Sequence, residues 1–200
     1  MKIGVIAIQG NVQEHVDSLI CALSEAGVKA EVVTIKHAGI IPTCSALVIP
    51  GGESTTLCRL MEREGMVSEM QEAAARGVPI MGTCAGLVML ARKGIGDVQK
   101  TGQKLLGLMD IEVNRNAFGR QVDSFEIDIV IPAIGEEPFN AVFIRAPEIV
   151  SCGAGVEVLA KVGERVVAAR QGNLLALAFH PELTGDMRLH RYFLDMVKGD

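Results

Sequence analysis

The sequence predicts an α/β protein with a doubly wound, mostly parallel sheet that carries antiparallel additions. Short apolar runs of strand length alternate with segments whose apolar residues recur at helical spacing. Gly- and Pro-containing turns separate them. This alternation implies parallel strands joined by right-handed crossovers. Because the 200 residues contain no internal repeat, linker or low-complexity segment, we expect one domain spanning residues 1–200.

The first half of the chain alternates strands with helices. Its predicted strands are apolar, as in strands buried on both faces, and cover 3–8, 30–35, 46–49 and 78–81. The predicted helices each have an apolar face. The first begins at Val12 and stops before Gly27, the second carries Leu57, Leu60 and Met61, and two more cover 66–76 and 87–91.

The second half changes character towards closely spaced strands. Strand-like runs cover 108–113, 125–131, 141–144, 156–162, 166–171 and 174–179. The short turns between them indicate the antiparallel additions, and a final amphipathic helix is predicted over 187–197.

Composition narrows the partners and the compartment. A net charge of −5 argues against nucleic acid or an anionic membrane as the main partner, because both require a basic surface. No apolar run is long enough to span a bilayer, and no signal peptide is evident. The cysteines lack a C-x-x-C pair that would suggest zinc or a redox motif; they are Cys21, Cys44, Cys58, Cys84 and Cys152. We expect reduced thiols, a cytoplasmic protein, and neither a metal nor a cofactor.

A G-x-C-x-G sequence at residues 82–86 is the strongest sign of chemistry. It lies between a predicted buried strand and a helix, the context in which G-x-S-x-G forms a nucleophile elbow. The glycines relieve crowding at the sharp turn, and the following helix would stabilise a thiolate on Cys84. A buried cysteine at a tight turn is the structural alternative, and the elbow context favours a nucleophile.

A cysteine nucleophile needs a base, and His180 is the best candidate. It follows the apolar run 174–179, so it should emerge at the carboxyl end of a buried strand. Glu182, two residues on, can fold back across Pro181 and accept the other imidazole N–H. The predicted catalytic set is Cys84, His180 and Glu182.

The remaining histidines carry weaker signals. We expect His37 and His190 to lie on a solvated loop or helix surface, since neither has an evident partner. His15 follows the first strand closely, so an interface role and a simple helix-surface role stay open.

The segment Pro50-Gly51-Gly52-Glu53-Ser54 offers glycine amides at another strand end. Such amides can stabilise an oxyanion. The same residues can form a plain turn with a helix N-cap, or a phosphate cradle, and all three interpretations stay open. The chain has no G-x-x-x-x-G-K-[ST] sequence, so nucleotide hydrolysis has little support.

Taken together, these motifs resemble the triad (class I) glutamine amidotransferases, which have a flavodoxin-like fold. The match covers residues 50–56, 82–87 and 180–182. Three further segments, 8–10, 115–125 and 143–147, are similar to the glutaminase subunits of pyridoxal 5′-phosphate synthase (the PdxT/SNO family). The resemblance runs nearly end to end, and the stretch 94–102 is the least matched.

The resemblance implies a role for each matching residue. Cys84 would be the nucleophile, with His180 and Glu182 as its relay. The glutamine pocket would be lined by Gly52, Glu53, Ser54, Arg115, Ile144 and Arg145. Backbone N–H groups of Gly52 and Ala85 would form the oxyanion hole, and Gln9 and Glu53 would communicate with the synthase subunit.

The resemblance also implies the reaction and the partner. The chain would be one glutamine amidotransferase domain that releases ammonia from L-glutamine and passes it to the synthase subunit, in a large ring assembly of 12 + 12 subunits. The synthase would join that ammonia to a pentose phosphate and a triose phosphate. Two alternatives stay open, namely a related cysteine-elbow hydrolase or deglycase, and a catalytically silent binding subunit.

Overall fold

The computed structural model describes residues 1–115 and 124–198. Its first half follows the predicted alternation, with small shifts at the element ends. The strands and helices are β1 (Lys2–Ile6), α1 (Val12–Glu25), β2 (Glu31–Ile35), β3 (Ala46–Ile49), α2 (Ser54–Arg63), α3 (Met66–Ala75), β4 (Ile80–Thr83) and α4 (Ala85–Leu90).

The second half is richer in strands, as predicted. Its elements are β5 (Ala91–Gly94), α5 (Asp97–Thr101), β6 (Met109–Asn114), β7 (Ser124–Ile129), β8 (Phe139–Ile144), β9 (Glu148–Cys152), β10 (Glu157–Val162), β11 (Arg165–Gln171), β12 (Leu174–Leu177) and α6 (Arg188–Lys198). The sequence interpretation missed β5, α5 and β9. These three are short, and only one residue of β9 is buried, so they carry no long apolar run.

Within the described residues, ten strands form one mixed sheet. The order along it is β2-β1-β3-β4-β12-β11-β9-β6-β5, with β10 paired to β11. The pairs from β2 to β12 are parallel, whereas β12–β11, β11–β9 and β9–β6 are antiparallel. β7 and β8 form a separate antiparallel pair. The predicted fold class is therefore confirmed.

One strand of the second half differs from its predicted place. The short turn before β12 indicated an antiparallel addition, and β12 does pair with β11 in that way. On its other side, however, β12 joins β4 in parallel, with Leu177 opposite Thr83. Three of its four residues are buried, which suits a central strand covered on both faces.

The parallel strands place several loops at one edge of the sheet. From β1 the chain first adds β2 on one side and then returns past β1 to add β3 and β4 on the other side. With right-handed crossovers, this change of direction puts α1 on one face of the sheet and α2 and α3 on the other. The carboxyl ends of β1, β3, β4 and β12 meet at this reversal, where open α/β sheets bind their ligands. No helix in the described parts of the chain has the length and apolarity needed to cross a membrane.

Two glycines allow α4 to pack closely on the sheet. A Cβ on Gly86 would overlap the carbonyl oxygen of Ile49 in β3, and a Cβ on Gly82 would lie 2.6 Å from the backbone of Gly86. Backbone atoms cannot move aside as a flexible side chain can. Glycine is therefore required here for the close approach of helix and strand.

This packing predicts that Gly86→Ala destabilises the protein. The added methyl group would force α4 away from β3, and we expect the free energy of unfolding to fall by about 1–3 kcal/mol, the usual effect of overpacking. Urea unfolding measures it. Gly185→Ala is the matched control, because a Cβ there meets no atom within 4 Å. Equal midpoints for the two variants would contradict the packing argument.

Candidate active site

Cys84 occupies the sharp turn between β4 and α4. Its φ of 50° and ψ of −103° cost a non-glycine residue on the order of 1–3 kcal/mol. The Cys84 N–H donates to the carbonyl of Leu177 in β12 at 2.8 Å, which anchors the turn. The side chain is nearly buried, and its Sγ lies 3.8 Å from the carbonyl oxygen of Ile144. The turn thus holds the thiol at the carboxyl edge of the sheet.

His180 and Glu182 form a buried hydrogen-bonded pair beside this turn. His180 follows β12, and its N–H donates to the carbonyl of Val142 in β8 at 2.8 Å. Pro181 opens a short 3₁₀ turn that brings Glu182 back, so His180 Nδ1 donates to Glu182 Oε1 at 2.8 Å. With Nδ1 occupied, the other ring nitrogen, Nε2, is left to exchange a proton with the Cys84 thiol.

The three side chains influence one another electrostatically. Burial alone would lower the pKa of His180, but its hydrogen bonds with Cys84 and Glu182 raise that pKa to about 10. Burial would likewise raise the pKa of Glu182, but the hydrogen bond and charge of His180 hold it below its ordinary value. The raised pKa of His180 and the lowered pKa of Glu182 both favour an imidazolium that faces a carboxylate.

A cavity of about 220 Å³ opens beside Cys84 and His180. It contains every residue that the sequence interpretation assigned to the glutamine pocket and the oxyanion hole. The lining consists of Asn11, Gly52, Glu53, Ser54, Cys84, Ala85, Val88, Arg115, Ile144, Arg145, Pro147 and His180. The size of this cavity and its mixture of polar and apolar walls suit a ligand as small as an amino acid.

The loop after β3 forms one wall of this cavity. A Cβ on Gly51 would overlap the His180 ring, so glycine lets the loop approach the imidazole. Gly52 has a φ of +136°, a conformation that favours glycine. Gln9, in the loop after β1, donates through Nε2 to the carbonyl oxygen of Glu53 at 2.6 Å. Gln9 and Glu53, predicted as interface residues, are thus in direct contact.

The Glu53 carboxylate begins α2 and also holds Arg115. It accepts hydrogen bonds from the N–H groups of Thr55 and Thr56 at 3.0 and 2.8 Å, as an N-cap does. Burial would raise the pKa of Glu53, but these bonds lower it to about 2. Arg115 Nη2 lies 3.2 Å from Glu53 Oε1. Of the oxyanion, turn-with-N-cap and phosphate interpretations of this loop, the turn with a helix N-cap is confirmed, and the other two stay predictions.

The two arginines of the pocket differ in their surroundings. Arg115 is fixed by Glu53 and by Thr55, whose Oγ1 accepts from Nη1 at 3.0 Å. Arg145 is exposed, and its φ of 43° is positive, which is uncommon for a residue other than glycine. Residues 116–123 of the matching stretch 115–125 lie outside the described residues.

The histidines outside the predicted triad give mixed outcomes. His37 is exposed, as predicted, and pairs with Glu64 at 2.6 Å. The surface prediction for His190 was wrong, and of the two alternatives for His15 the helix-surface role is excluded, because both residues are fully buried. His15 lies four residues before Leu19 on the buried face of α1, and that helical spacing was the signal that could have placed it inside.

Two further polar neighbours of the site were missed. Asn11 precedes α1 and donates through Nδ2 to Glu182 Oε1 at 3.2 Å. Gln103 accepts through Oε1 from the hydroxyls of Ser54 and Thr55, both at 3.2 Å, and from Arg115 at 3.5 Å. Nothing in the local sequence marks Gln103, since it lies in a stretch without clear periodicity. In the described parts of the chain, no three His, Cys, Asp or Glu residues are grouped to hold a metal ion.

Comparison with known proteins agrees with this geometry. The sequence model of the SNO glutamine amidotransferase family matches residues 5–199. A protein of Methanosarcina mazei named pyridoxal 5′-phosphate synthase subunit PdxT is 66% identical over 197 residues, which cover 98% of each chain. A protein of the same name from Methanocella arvoryzae is 65% identical over 199 residues, covering 100% of this chain and 98% of the relative.

Solved structures extend the agreement to the fold. A crystal structure of a glutamine amidotransferase superposes with a TM-score of 0.87 at 43% identity, covering 98% of both chains. A chain of PurLQS from Thermotoga maritima, 16% identical, has a TM-score of 0.68 over 97% of both chains, a likeness that concerns the fold alone. The chain therefore belongs to the SNO glutamine amidotransferase family.

Proposed function

We propose that this chain is the glutaminase subunit of a pyridoxal 5′-phosphate synthase. It hydrolyses L-glutamine to L-glutamate and ammonia, and it passes the ammonia to a synthase subunit that builds the cofactor from a pentose phosphate and a triose phosphate. The observation that carries the proposal is the meeting of Cys84, on its strained turn, with the buried His180–Glu182 pair at one cavity. Family membership and the names of the relatives support it.

The proposed reaction begins at the thiol. Cys84 Sγ, as thiolate, attacks the side-chain amide carbon of glutamine, and a tetrahedral oxyanion forms. Backbone N–H groups of Gly52 and Ala85 stabilise that oxyanion. The protonated His180 gives its proton to the departing nitrogen, so the carbon–nitrogen bond breaks and ammonia leaves. Its raised pKa, about 10, favours the protonated ring from which this step starts.

Hydrolysis of the thioester completes the cycle. His180, now neutral, takes a proton from water, and the resulting hydroxide attacks the glutamyl thioester. The sulfur leaves as thiolate, His180 again carries a proton, and glutamate departs. Throughout, Glu182 keeps the imidazole oriented through Nδ1.

The pocket residues bind the rest of the substrate. We propose that Glu53, Ser54 and Ile144 contact glutamine beside Gly52. The guanidinium groups of Arg115 and Arg145 attract its carboxylate or order the neighbouring loops. Arg115 is already held at the cavity by its pairing with Glu53, and a rigid donor fork of this kind loses little freedom on binding.

The partner is proposed to act through Gln9 and Glu53. Because Gly52 tolerates backbone rotation and Gln9 holds the next carbonyl, a synthase subunit that displaces Gln9 could turn this peptide into a working oxyanion hole. We further propose one domain over residues 1–200, a cytoplasmic location, and a heteromeric complex of 12 + 12 subunits with overall lyase activity.

The first test is glutamate formation from L-glutamine by the purified chain, alone and with a pyridoxal 5′-phosphate synthase subunit from the same source. We expect strong stimulation by the partner, because docking would complete the oxyanion hole. Activity without any response to the partner would favour an independent hydrolase. No activity in either mixture would favour a silent binding subunit and would refute the proposal.

Cys84→Ala should abolish glutamate release while the protein stays folded. Without the thiol no thioester forms, so we expect the rate with the partner present to fall by at least roughly 1,000-fold. Cys21→Ala is the matched control, since Cys21 is an exposed thiol, and it should keep wild-type activity. Circular dichroism checks the fold. Glutamine turnover by Cys84→Ala would remove Cys84 from the mechanism.

Glu182→Gln should lower kcat with little change in KM. The carboxamide cannot stabilise an imidazolium and can impose the wrong tautomer, so we expect a loss of roughly 100-fold or more. Glu64→Gln provides a control, because Glu64 pairs with a histidine at the surface and should behave as wild type. Equal kcat values in the two variants would contradict the proposed relay.

A further inference from the structure

His15 is a buried residue that contacts two parts of the candidate site without lining the cavity. It projects from the first turns of α1, is fully buried, and is absent from the cavity lining. Its Nε2 lies 3.0 Å from Thr83 Oγ1, and Thr83 directly precedes the nucleophile. The same nitrogen lies 3.4 Å from Glu182 Oε2. One ring nitrogen thus faces both the turn that carries Cys84 and the carboxylate of the relay.

The surroundings of His15 determine which nitrogen carries its proton. Burial lowers the pKa of His15, so the ring is neutral and has a single N–H. If Nδ1 carried the proton, that N–H would be buried without an acceptor among the described residues, and the lone pair of Nε2 would face a carboxylate. Both are unfavourable. The network therefore assigns the Nε2–H tautomer.

An Nε2–H group on His15 would supply a donor for the second carboxylate oxygen of Glu182. Oε1 already accepts from His180 and from Asn11. Oε2 is buried and has no hydrogen-bond partner within the described chain, and His15 Nε2 lies 3.4 Å from it. A buried carboxylate that lacks donors on one oxygen is costly and free to rotate.

We propose that His15 is a positioning residue that holds Glu182, and through it His180, in the orientation needed to act on Cys84. This inference rests on the proposed function, because it takes Glu182 as the orienting member of the triad. His15 acts as a neutral donor shared between Thr83 and Glu182. It fixes the carboxylate relative to the elbow without touching substrate.

Three variants separate positioning from packing. His15→Phe keeps an aromatic ring but removes the donor, whereas His15→Gln restores an N–H near the place of Nε2. His190→Phe is the control, since His190 is buried beside His15 at 6.3 Å between ring centroids and neither of its ring nitrogens has a partner in the described structure. The partner synthase subunit is present in all assays. Titration with a thiol-alkylating chloroketone analogue of glutamine counts the intact sites.

We expect His15→Phe to lower kcat per titrated site about tenfold, the scale of one hydrogen bond to a charged group. KM for glutamine should stay within about twofold, because the pocket is unchanged. His15→Gln should recover most of the loss, and His190→Phe should match wild type. A purely structural role would lower the number of titrated sites and leave kcat per site unchanged.

The proposal is overturned if His15→Phe and His190→Phe have equal kcat per site, or if His15→Gln is as slow as His15→Phe. A wild-type chain that forms no glutamate would instead refute the proposed function. Independently of activity, nitrogen NMR of histidine-labelled protein tests whether His15 is the donor. A neutral His15 with its proton on Nε2 supports the donor, and a proton on Nδ1 overturns it.

Discussion

The constraint on which the site depends is the backbone of Cys84, held where a residue with a side chain is seldom found. The centre of the sheet supplies the restraint, because the Cys84 N–H bonds to Leu177 while Gly82 and Gly86 let α4 press against β3. A looser turn would relax towards an ordinary helix start and swing the thiol away. Strain at one residue is thus sustained by packing across three strands.

A second theme is the burial of charge behind the thiol. Glu182 is almost inaccessible to solvent, so its negative charge persists only because donors surround it. His180 supplies one, and α1 supplies others through Asn11 and His15. The start of α1 is therefore part of the electrostatic environment of the site: Asn11 lines the cavity, whereas His15 is buried outside its lining.

The sequence predicted the fold class because buried parallel strands leave continuous apolar runs, and it located Cys84, His180 and Glu182 by motif and strand end. It could not place β12 beside β4, since a short hairpin turn says nothing of the strand's other edge. It misplaced His190, and kept a surface role open for His15, because a polar residue within an amphipathic helix usually faces solvent. The place of Gln103 in the site could not be predicted, since its contacts join segments distant in sequence.

The pairing of β4 with β12 also sets when the site comes into being. In a chain made from its N-terminus, the elbow and β3 emerge early, whereas β12 is the last strand of the described chain. Until β12 docks, Cys84 lacks both its backbone anchor and its base. The event that closes the centre of the sheet is also the one that brings thiol and imidazole together. On the proposed roles, a nascent or partly folded chain cannot hydrolyse glutamine. Glutaminase activity therefore begins only once the centre of the sheet has closed.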